Sequence, residues 1–184
     1  MNLKIIFMND DRLKKKSCDI NMNDFQKYKN EICNFANHLV HLVNINSAAG
    51  IASIQVEDDE AFNFLINEDT QRKQPSIIVV NCEKGLLVMI NPKIINHSEI
   101  KVKSTEGCLS IPGVQDTIER YESVESTYYD LEGNFVQKHF YNFDAIILQH
   151  EIDHLNGVLY PDHLSNIIKK EIFWKKYNNK KKYI

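Results

Sequence analysis

Residues 142–157, NFDAIILQHEIDHLNG, predict the helix around which the rest of the chain is organised. Asn142 or Asp144 supplies a residue type that commonly caps a helix N-terminus. Gly157 follows at a position where helices commonly end, so the helix is expected to run to about residue 156. Strand-like segments joined by short turns precede this helix, and we expect them to pack around it.

A pair of histidines in this helix indicates a metal site. His150 and His154 are four residues apart, so both imidazoles project from one face and can reach one metal ion. Glu151 lies about 100° around the helix axis from His150, near enough to touch a water at that ion without being a ligand. The pattern is typical of metal-assisted hydrolysis, in which the glutamate moves the proton. Five-residue matches also occur by chance, so a helix with two unrelated histidines is the alternative.

A catalytic metal site needs a third protein ligand, and the sequence offers two places for it. Downstream, the extended metalloprotease pattern has a third histidine three residues after Gly157, where this chain has Tyr160. Upstream, Cys108 lies in the segment EGCLS, residues 106–110, at a strand end or tight turn. One cysteine and two histidines leave the fourth position open for water, which is the arrangement of catalytic rather than structural sites.

The remaining segments predict an α+β fold of mostly antiparallel strands. Apolar residues recur every three or four positions between residues 23 and 43, which indicates an N-terminal helix capped by Asn23 or Asp24. Strand-forming runs cover residues 76–81, 86–90, 93–102, 122–130 and 134–141. An interruption is expected at Asn91 and Pro92. Short turns join several runs as hairpins, which favours antiparallel pairing over a parallel βαβ arrangement.

Composition narrows the class of protein. The chain has 184 residues, a formal net charge of −3, 43% hydrophobic residues and 26% charged residues, which fits one globular domain. No apolar run approaches the roughly 18 residues of a membrane span, and the short apolar start is not typical of a signal peptide. We therefore expect a soluble protein that is not exported by that route. Four cysteines are too sparse for a disulfide framework, so reduced thiols are expected.

Charge is divided unevenly between the body and the C-terminal segment. Residues 165–184 contain seven lysines and one glutamate, a local charge of +6, which leaves −9 for residues 1–164. We expect residues 1–164 to form a single catalytic domain and residues 165–184 to form a basic C-terminal helix or tail. Such a segment suits a polyanionic partner, and a solvated helix end is the alternative.

Three segments together resemble the signature motifs of the peptide deformylase family. They are GIASIQ at residues 50–55, EGCLS at 106–110 and QHEIDH at 149–154, in the family's order and with suitable separations. The resemblance extends over nearly the whole chain and includes Arg120 and Gly157. It implies a hydrolase that removes the N-formyl group from the initiator methionine of newly synthesised polypeptides and releases formate.

The resemblance also implies roles for residues of this chain. The ligands of one divalent metal ion would be Cys108, His150 and His154. The ion would be Fe²⁺ in the cell, with Zn²⁺, Ni²⁺ or Co²⁺ as substitutes. Glu151 would act as the general base and then as the general acid. Gln55 and the backbone N–H of Leu109 would stabilise the oxyanion, and Glu106 would support the ligands from behind.

The methionine side chain needs an apolar slot, which the resemblance places beside the metal face of the helix. Phe143, Ile146 and Ile147 would form its helix wall, and ordinary helix packing is the alternative. Gly50 would let the substrate backbone pair in an extended form against its loop. Residues 57–75 look longer than the corresponding family segment and are expected to form a surface loop near the site.

Two other functions fit parts of the pattern. A metallopeptidase that cuts internal bonds is disfavoured by Tyr160 and by the presence of Cys108. A catalytically silent deformylase-like protein that docks on ribosomes is disfavoured by the intact set of site residues. The expected partners of the enzyme are nascent formyl-methionine polypeptides and, through the lysine-rich segment, the ribosome, but no membrane and no DNA. The expected location is the bacterial cytoplasm, with an organelle as the alternative.

Overall fold

The computed structural model describes residues 4–57, 74–164 and 167–180. Most of the expected loop at 57–75 and the lysines beyond residue 180 lie outside the described residues. The described helices are α1 Lys29–Ile45, α2 Asn142–Leu155 and α3 Ile167–Lys180. The described strands are β1 Gly50–Ala52, β2 Ile77–Cys82, β3 Gly85–His97, β4 Lys101–Cys108, β5 Ile111–Tyr121, β6 Ser123–Tyr129 and β7 Phe135–Tyr141.

Five of the strands form one sheet in the order β1-β2-β3-β6-β7, and β4 pairs with β5 in a separate two-stranded sheet. Neighbouring strands in both sheets run antiparallel. The predicted α+β class with mostly antiparallel strands is therefore confirmed. The predicted hairpin between β2 and β3 closes at the pair Cys82 and Gly85, and the φ of 110° at Gly85 explains the glycine there.

Strand β2 lies at the centre of the core, with a helix on each of its faces. Successive side chains of a strand point to opposite sides of the sheet. Ile78 and Val80 pack in the cluster that contains the apolar face of α2, whereas Ile77 and Val79 pack in the cluster that contains α1. The continuous apolar run in β2 therefore reflects coverage of both faces. This packing positions α2 against the sheet.

Helix α1 begins later than the sequence pattern predicts. Asn21 caps a short 3₁₀ turn at Met22–Asp24, where its side chain accepts the backbone N–H of Asn23 at 3.1 Å. The expected helix cap at Asn23 or Asp24 is therefore wrong, because these residues belong to a separate turn. The regular helix starts at Lys29.

The expected interruption at Asn91 and Pro92 is wrong, since β3 runs through both residues as one strand. Asn91 adopts a φ of 51° at a shift in the pairing register with β6. Its side-chain amide accepts the N–H of Ile20 and donates to the carbonyl of Ile20, both at 2.8 Å. The bulge in β3 is thus stabilised by a distant segment, which a local sequence pattern does not reveal.

The N-terminus of α2 has a different cap from the predicted ones. Tyr141 is the capping residue, and Asn142 is the first residue of the helix, with a φ of 53°. The carboxylate of Asp144 instead accepts the backbone N–H of Glu83 at 3.1 Å, which joins α2 to the β2–β3 hairpin. The end of the helix agrees with the prediction, because Gly157 follows it with a φ of 75°.

Helix α3 is anchored on the body of the protein by aromatic side chains. Phe173 and Tyr177 are buried in a cluster that also contains Met8 and Ile118. The described part of the basic segment is therefore a packed helix. None of the helices in the described ranges is long and apolar enough to cross a membrane.

Candidate metal centre

Three side chains with metal-binding atoms meet beside α2. Cys108 ends β4, while His150 and His154 lie on successive turns of α2. Their ligand atoms all lie within 4.8 Å of one another. Cys108 Sγ is 3.3 Å from His154 Nε2, and the Nε2 atoms of the two histidines are 3.2 Å apart. The fold thus brings the upstream cysteine to the histidine pair.

The turn between β4 and β5 presents Cys108 to the helix. The two strands pair as far as Cys108 and Ile111, with a register shift between Glu106 and Cys108. Residues two apart on a strand share one face. Here Glu106 contacts His150 and Cys108 contacts His154, both on α2. The sequence pattern did not predict β5 as a strand, although it did predict a strand end or tight turn at Cys108.

The donor set fits a divalent transition-metal ion. His154 is 1% exposed, and burial together with the nearby His150 lowers its pKa well below the ordinary value, which keeps its imidazole neutral. Donor atoms that converge at 3.2 and 3.3 Å repel one another unless a cation or a proton lies between them. One thiolate and two imidazoles suit Fe²⁺, Zn²⁺ and related ions.

Glu106 is hydrogen-bonded to His150 on the side away from the other two donor atoms. His150 Nδ1 donates to Glu106 Oε2 at 2.9 Å, which leaves Nε2 for a metal ion. Arg120 donates to both oxygens of the same carboxylate, at 2.9 and 3.0 Å, and it also contacts Asp153. Burial raises the pKa of Glu106, but the hydrogen bonds from His150 and Arg120 outweigh burial and lower the pKa to about 2. Glu106 is therefore a carboxylate at neutral pH.

Arg120 and Asp153 both belong to this network, and the motifs in the sequence imply no role for either residue. Arg120 is 4% exposed and lies two residues after the buried Ile118 on β5. Alternation along a strand therefore places this arginine on a buried face, where it requires a carboxylate partner. Arg120 would therefore have been identifiable from the sequence had β5 been predicted as a strand. Asp153 gives no comparable signal, because an aspartate in a helix is usually at the surface.

Glu151 lies against β1 in the same region. Its side chain is buried, and its Oε2 has no hydrogen-bond partner among the described residues. A Cβ atom built on Gly50 would lie 2.7 Å from Glu151 Oε1, so the two residues pack directly together. Burial raises the pKa of Glu151 to about 7, even though the nearby His150 opposes this shift. A carboxyl group with that pKa can accept and return a proton near neutral pH.

Gln55 and Leu109 flank the cysteine. Gln55 Oε1 accepts the N–H of Ala52 at 2.8 Å, which turns the amide nitrogen toward Cys108 Sγ at 3.4 Å. The same nitrogen donates to Ser110 Oγ at 3.2 Å, so the buried Ser110 helps to fix the amide, a role that sequence reasoning missed. Leu109 is half-buried and lines the adjacent cavity.

The cysteine, His150 and Glu151 open onto a cavity of about 990 Å³. Its lining includes the residues predicted to contact the substrate, which are Gly50, Phe143, Ile146 and Ile147. Ile147 is 4% exposed and Phe143 is 62% exposed, so the first belongs to the inner wall and the second to the mouth. Ile5 and Phe7 also line the cavity, and no sequence signal pointed to them.

Comparison with known proteins identifies what this architecture is similar to. A family model described as polypeptide deformylase matches residues 2–170. The chain is 34% identical over 173 residues to a peptide deformylase of Finegoldia magna, with 94% of each chain covered. It is 31% identical over 166 residues to a peptide deformylase of Campylobacter jejuni, with 89% of each chain covered.

Solved structures give the same result. The crystal structure of peptide deformylase from Ehrlichia chaffeensis matches with a TM-score of 0.80 and 28% identity, covering 100% of this chain and 98% of that one. The peptide deformylase from Synechococcus elongatus in complex with actinonin matches with a TM-score of 0.77 and 28% identity, covering 96% of this chain and 86% of that one. Sequence and fold therefore agree over almost the full length.

Proposed function

Since this chain belongs to the polypeptide deformylase family, we propose how its own residues carry out the reaction. The protein is a metal-dependent hydrolase that removes the N-formyl group from the initiator methionine of newly synthesised polypeptides and releases formate. The observation that carries the proposed roles is the convergence of Cys108, His150 and His154 beside the buried Glu151.

Cys108, His150 and His154 hold one divalent ion, which is Fe²⁺ in the cell and which Zn²⁺, Ni²⁺ or Co²⁺ can replace. Such an ion supplies Lewis-acid chemistry, which polarises the formyl carbonyl and makes water a better nucleophile. The thiolate of Cys108 supports iron as the native ion, and it also makes the site sensitive to oxidation.

Glu151 moves the proton of the reaction. It takes a proton from the water that attacks the formyl carbon, and it gives that proton to the methionine nitrogen as the C–N bond breaks. The water oxygen leaves in formate, and the polypeptide leaves with a free amino group. The pKa of about 7, raised by burial, supports both halves of this role.

Gln55 and Leu109 stabilise the negative charge that develops on the formyl oxygen. The side-chain amide of Gln55, oriented by Ala52 and Ser110, supplies one donor, and the backbone N–H of Leu109 supplies the other. A single donor of this kind typically contributes about 3 kcal/mol in the transition state. Glu106 acts indirectly, by keeping His150 in its binding orientation.

The cavity receives the methionine and the residues after it. Ile146 and Ile147 form the wall of the methionine slot, and Phe143 lies at its mouth. In the described sheet β1 is an edge strand, so the substrate backbone pairs in an extended form beside Gly50.

Hydrolysis of three peptides tests the proposed function. Metal-loaded protein, handled without oxygen, is incubated with a formyl-Met peptide, an acetyl-Met peptide and an unblocked peptide, and formate and new amino groups are measured. We expect formate from the first peptide and no cleavage of the others. Cleavage of internal bonds would instead indicate a metallopeptidase, and no turnover by metal-loaded protein would indicate a silent binding protein.

Replacing Glu151 with glutamine tests its role as the proton carrier. We expect Glu151→Gln to lower kcat by 10²- to 10⁴-fold, which is the usual contribution of a general acid-base group. Metal content per chain should stay unchanged, because Glu151 is not a proposed ligand. Formate release and metal analysis of the same sample check both statements. A variant that loses its metal would contradict the assignment.

The basic C-terminal segment, residues 165–184, gives the catalytic domain, residues 1–164, a second partner, the ribosome. Lys175 and Lys176 are exposed on α3, while Phe173 anchors the helix to the body. Exposed lysines on an anchored helix suit the phosphates of RNA. A ribosome-bound enzyme acts in the compartment of translation, which we take to be the bacterial cytoplasm.

Charge reversal on α3 tests ribosome binding. We expect the full chain to cosediment with ribosomes at low salt and to dissociate as the salt concentration rises, because phosphate contacts are screened. Reversal of Lys175 and Lys176 to glutamate should abolish cosedimentation. The matched control reverses Lys84 and Lys103, two exposed lysines of the body. Equal behaviour of the two double variants would count against α3 as the contact surface.

A further inference from the structure

Tyr160 lies where the extended metalloprotease pattern would have a third histidine, and it serves the metal centre in another way. Its ring stacks on the ring of His150, with the centroids 6.1 Å apart and an interplanar angle of 24°. We propose that Tyr160 is a positioning residue, which holds the His150 ring so that Nε2 stays directed toward the other two ligands. This inference rests on the proposed role of His150 as a metal ligand.

A positioning residue is needed because the hydrogen bond from His150 to Glu106 does not fix the plane of the imidazole ring. The contact from Nδ1 to Glu106 Oε2 at 2.9 Å fixes the direction of that nitrogen, but the ring can still rotate about the line joining the two atoms. A flat side chain stacked on the imidazole opposes this rotation. Glu106 and Tyr160 together therefore define both the direction and the plane of the ring.

Tyr160 can act in this way because its own ring is fixed. It is 1% exposed, and its hydroxyl donates to the carbonyl of Val114 on β5 at 3.0 Å. Its ring also makes an edge-to-face contact with the fully buried Phe173 of α3, with a centroid distance of 5.5 Å. The ring is thus held by a second aromatic contact and anchored at its polar end.

The anchor on β5 links the two elements that supply the ligands. Strand β5 forms the hairpin with β4, which ends at Cys108, and Cys108 packs against the same cluster as Tyr160. The stacking contact joins that hairpin to His150 on α2. Tyr160 therefore couples the position of the thiolate to the position of an imidazole, although it is not itself a ligand.

Metal affinity of the full chain tests this role, with Co²⁺ as the probe. We expect Tyr160→Leu to weaken Co²⁺ binding by about tenfold, the lower end of the range for residues that support metal ligands. The visible absorption spectrum of Co²⁺ bound to Tyr160→Leu should also differ from that of Co²⁺ bound to the parent protein, because the ligand geometry changes. Tyr160→Phe keeps the flat ring and should stay close to the parent protein in both measurements. The matched control is Phe35→Leu, a fully buried aromatic in the α1 cluster.

The outcomes separate this inference from the proposed function. Parent-like affinity and spectrum in Tyr160→Leu would overturn the inference, as would an equal loss in Phe35→Leu. If Tyr160→Leu does not fold, Tyr160→Met fills the space without a flat ring and should show the same loss. If Co²⁺ binding by the parent protein does not depend on Cys108 and His150, the proposed metal site itself is wrong.

Discussion

Gly50 is required for a different reason from the one that its sequence motif suggests. The resemblance predicts that Gly50 admits the substrate backbone. In the structure the space above Gly50 is taken by Glu151, whose Oε1 would lie 2.7 Å from an added Cβ atom. The glycine is therefore required by the packing of the proposed proton carrier, whether or not substrate is bound.

The Gly50→Ala variant is expected to lower kcat by roughly 100-fold, because displacement of a reacting group by about 1 Å can cost that much. Formate release measures the loss, and metal content should not change. Gly107→Ala is the control and should lower kcat less, since its Cβ atom would meet only the flexible side chain of Gln115, at 3.2 Å. A loss in Gly107→Ala as large as that in Gly50→Ala would show that contact with Glu151 is not the cause.

Among the secondary-structure elements, helix α2 is held in place by contacts with two hairpins, β2–β3 and β4–β5. Near its start, Asp144 accepts the backbone N–H of Glu83 from the β2–β3 hairpin. In its middle, Gln149 pairs with the backbone of Tyr121 at the end of β5, accepting its N–H at 2.9 Å and donating to its carbonyl at 2.8 Å. The amide thus binds β5 as a neighbouring strand would, and it aligns the histidine pair with the β4–β5 hairpin.

The contact between α2 and the β2–β3 hairpin leads us to predict a low reactivity for the Cys82 thiol. Burial, and next the charge of Asp144, raise the pKa of Cys82 to about 11. At pH 8 the thiol is therefore almost fully protonated, and we expect iodoacetamide to label it slowly in the native chain. Labelling should accelerate as the pH approaches 11. Mass spectrometry measures the rate, and the unfolded chain is the control. Equal rates for native and unfolded chain at pH 8 would contradict the prediction.

The stability of the whole protein depends on a buried charge network that adjoins the candidate metal centre. Glu106, Arg120 and Asp153 join β4, β5 and α2 through ion pairs of side chains that are mostly buried. Removing one partner of such a network leaves an uncompensated buried charge, which is costly. The carboxylates must therefore stay ionised for the fold to keep its full stability.

This network predicts that the metal-free chain loses stability in acid. The pKa of Glu106 falls from an ordinary 4.5 to about 2 on folding, so its contribution is complete above pH 4.5 and is lost as the pH falls through 2. That shift corresponds to roughly 3 kcal/mol of unfolding free energy. Urea denaturation at fixed pH values measures it. Glu106→Gln should flatten the curve between pH 4.5 and 2, and an unchanged curve would refute the assignment.

Much of the fold was predictable where the determining contacts are local. The hairpin at Cys82 and Gly85 follows from a short turn between two apolar runs, and the end of α2 follows from Gly157. Predictions failed where a side chain forms its hydrogen bonds with a segment that is distant in the sequence. Asn91 continues β3 because Ile20 satisfies its amide, and Asp144 does not cap α2 because Glu83 occupies its carboxylate.

The chemistry of the candidate site follows from local features of the sequence. His150 and His154 face the same way because of the period of the helix, and Cys108 is a donor type that completes a three-ligand set. The residues that support these proposed ligands are set by the three-dimensional fold instead. Arg120 behind Glu106 and Tyr160 on His150 are contacts between residues on different elements, and no local period relates such positions. These contacts form only when the whole chain is packed. A buried polar side chain then needs a hydrogen-bond partner, and a buried aromatic ring needs side chains to pack against.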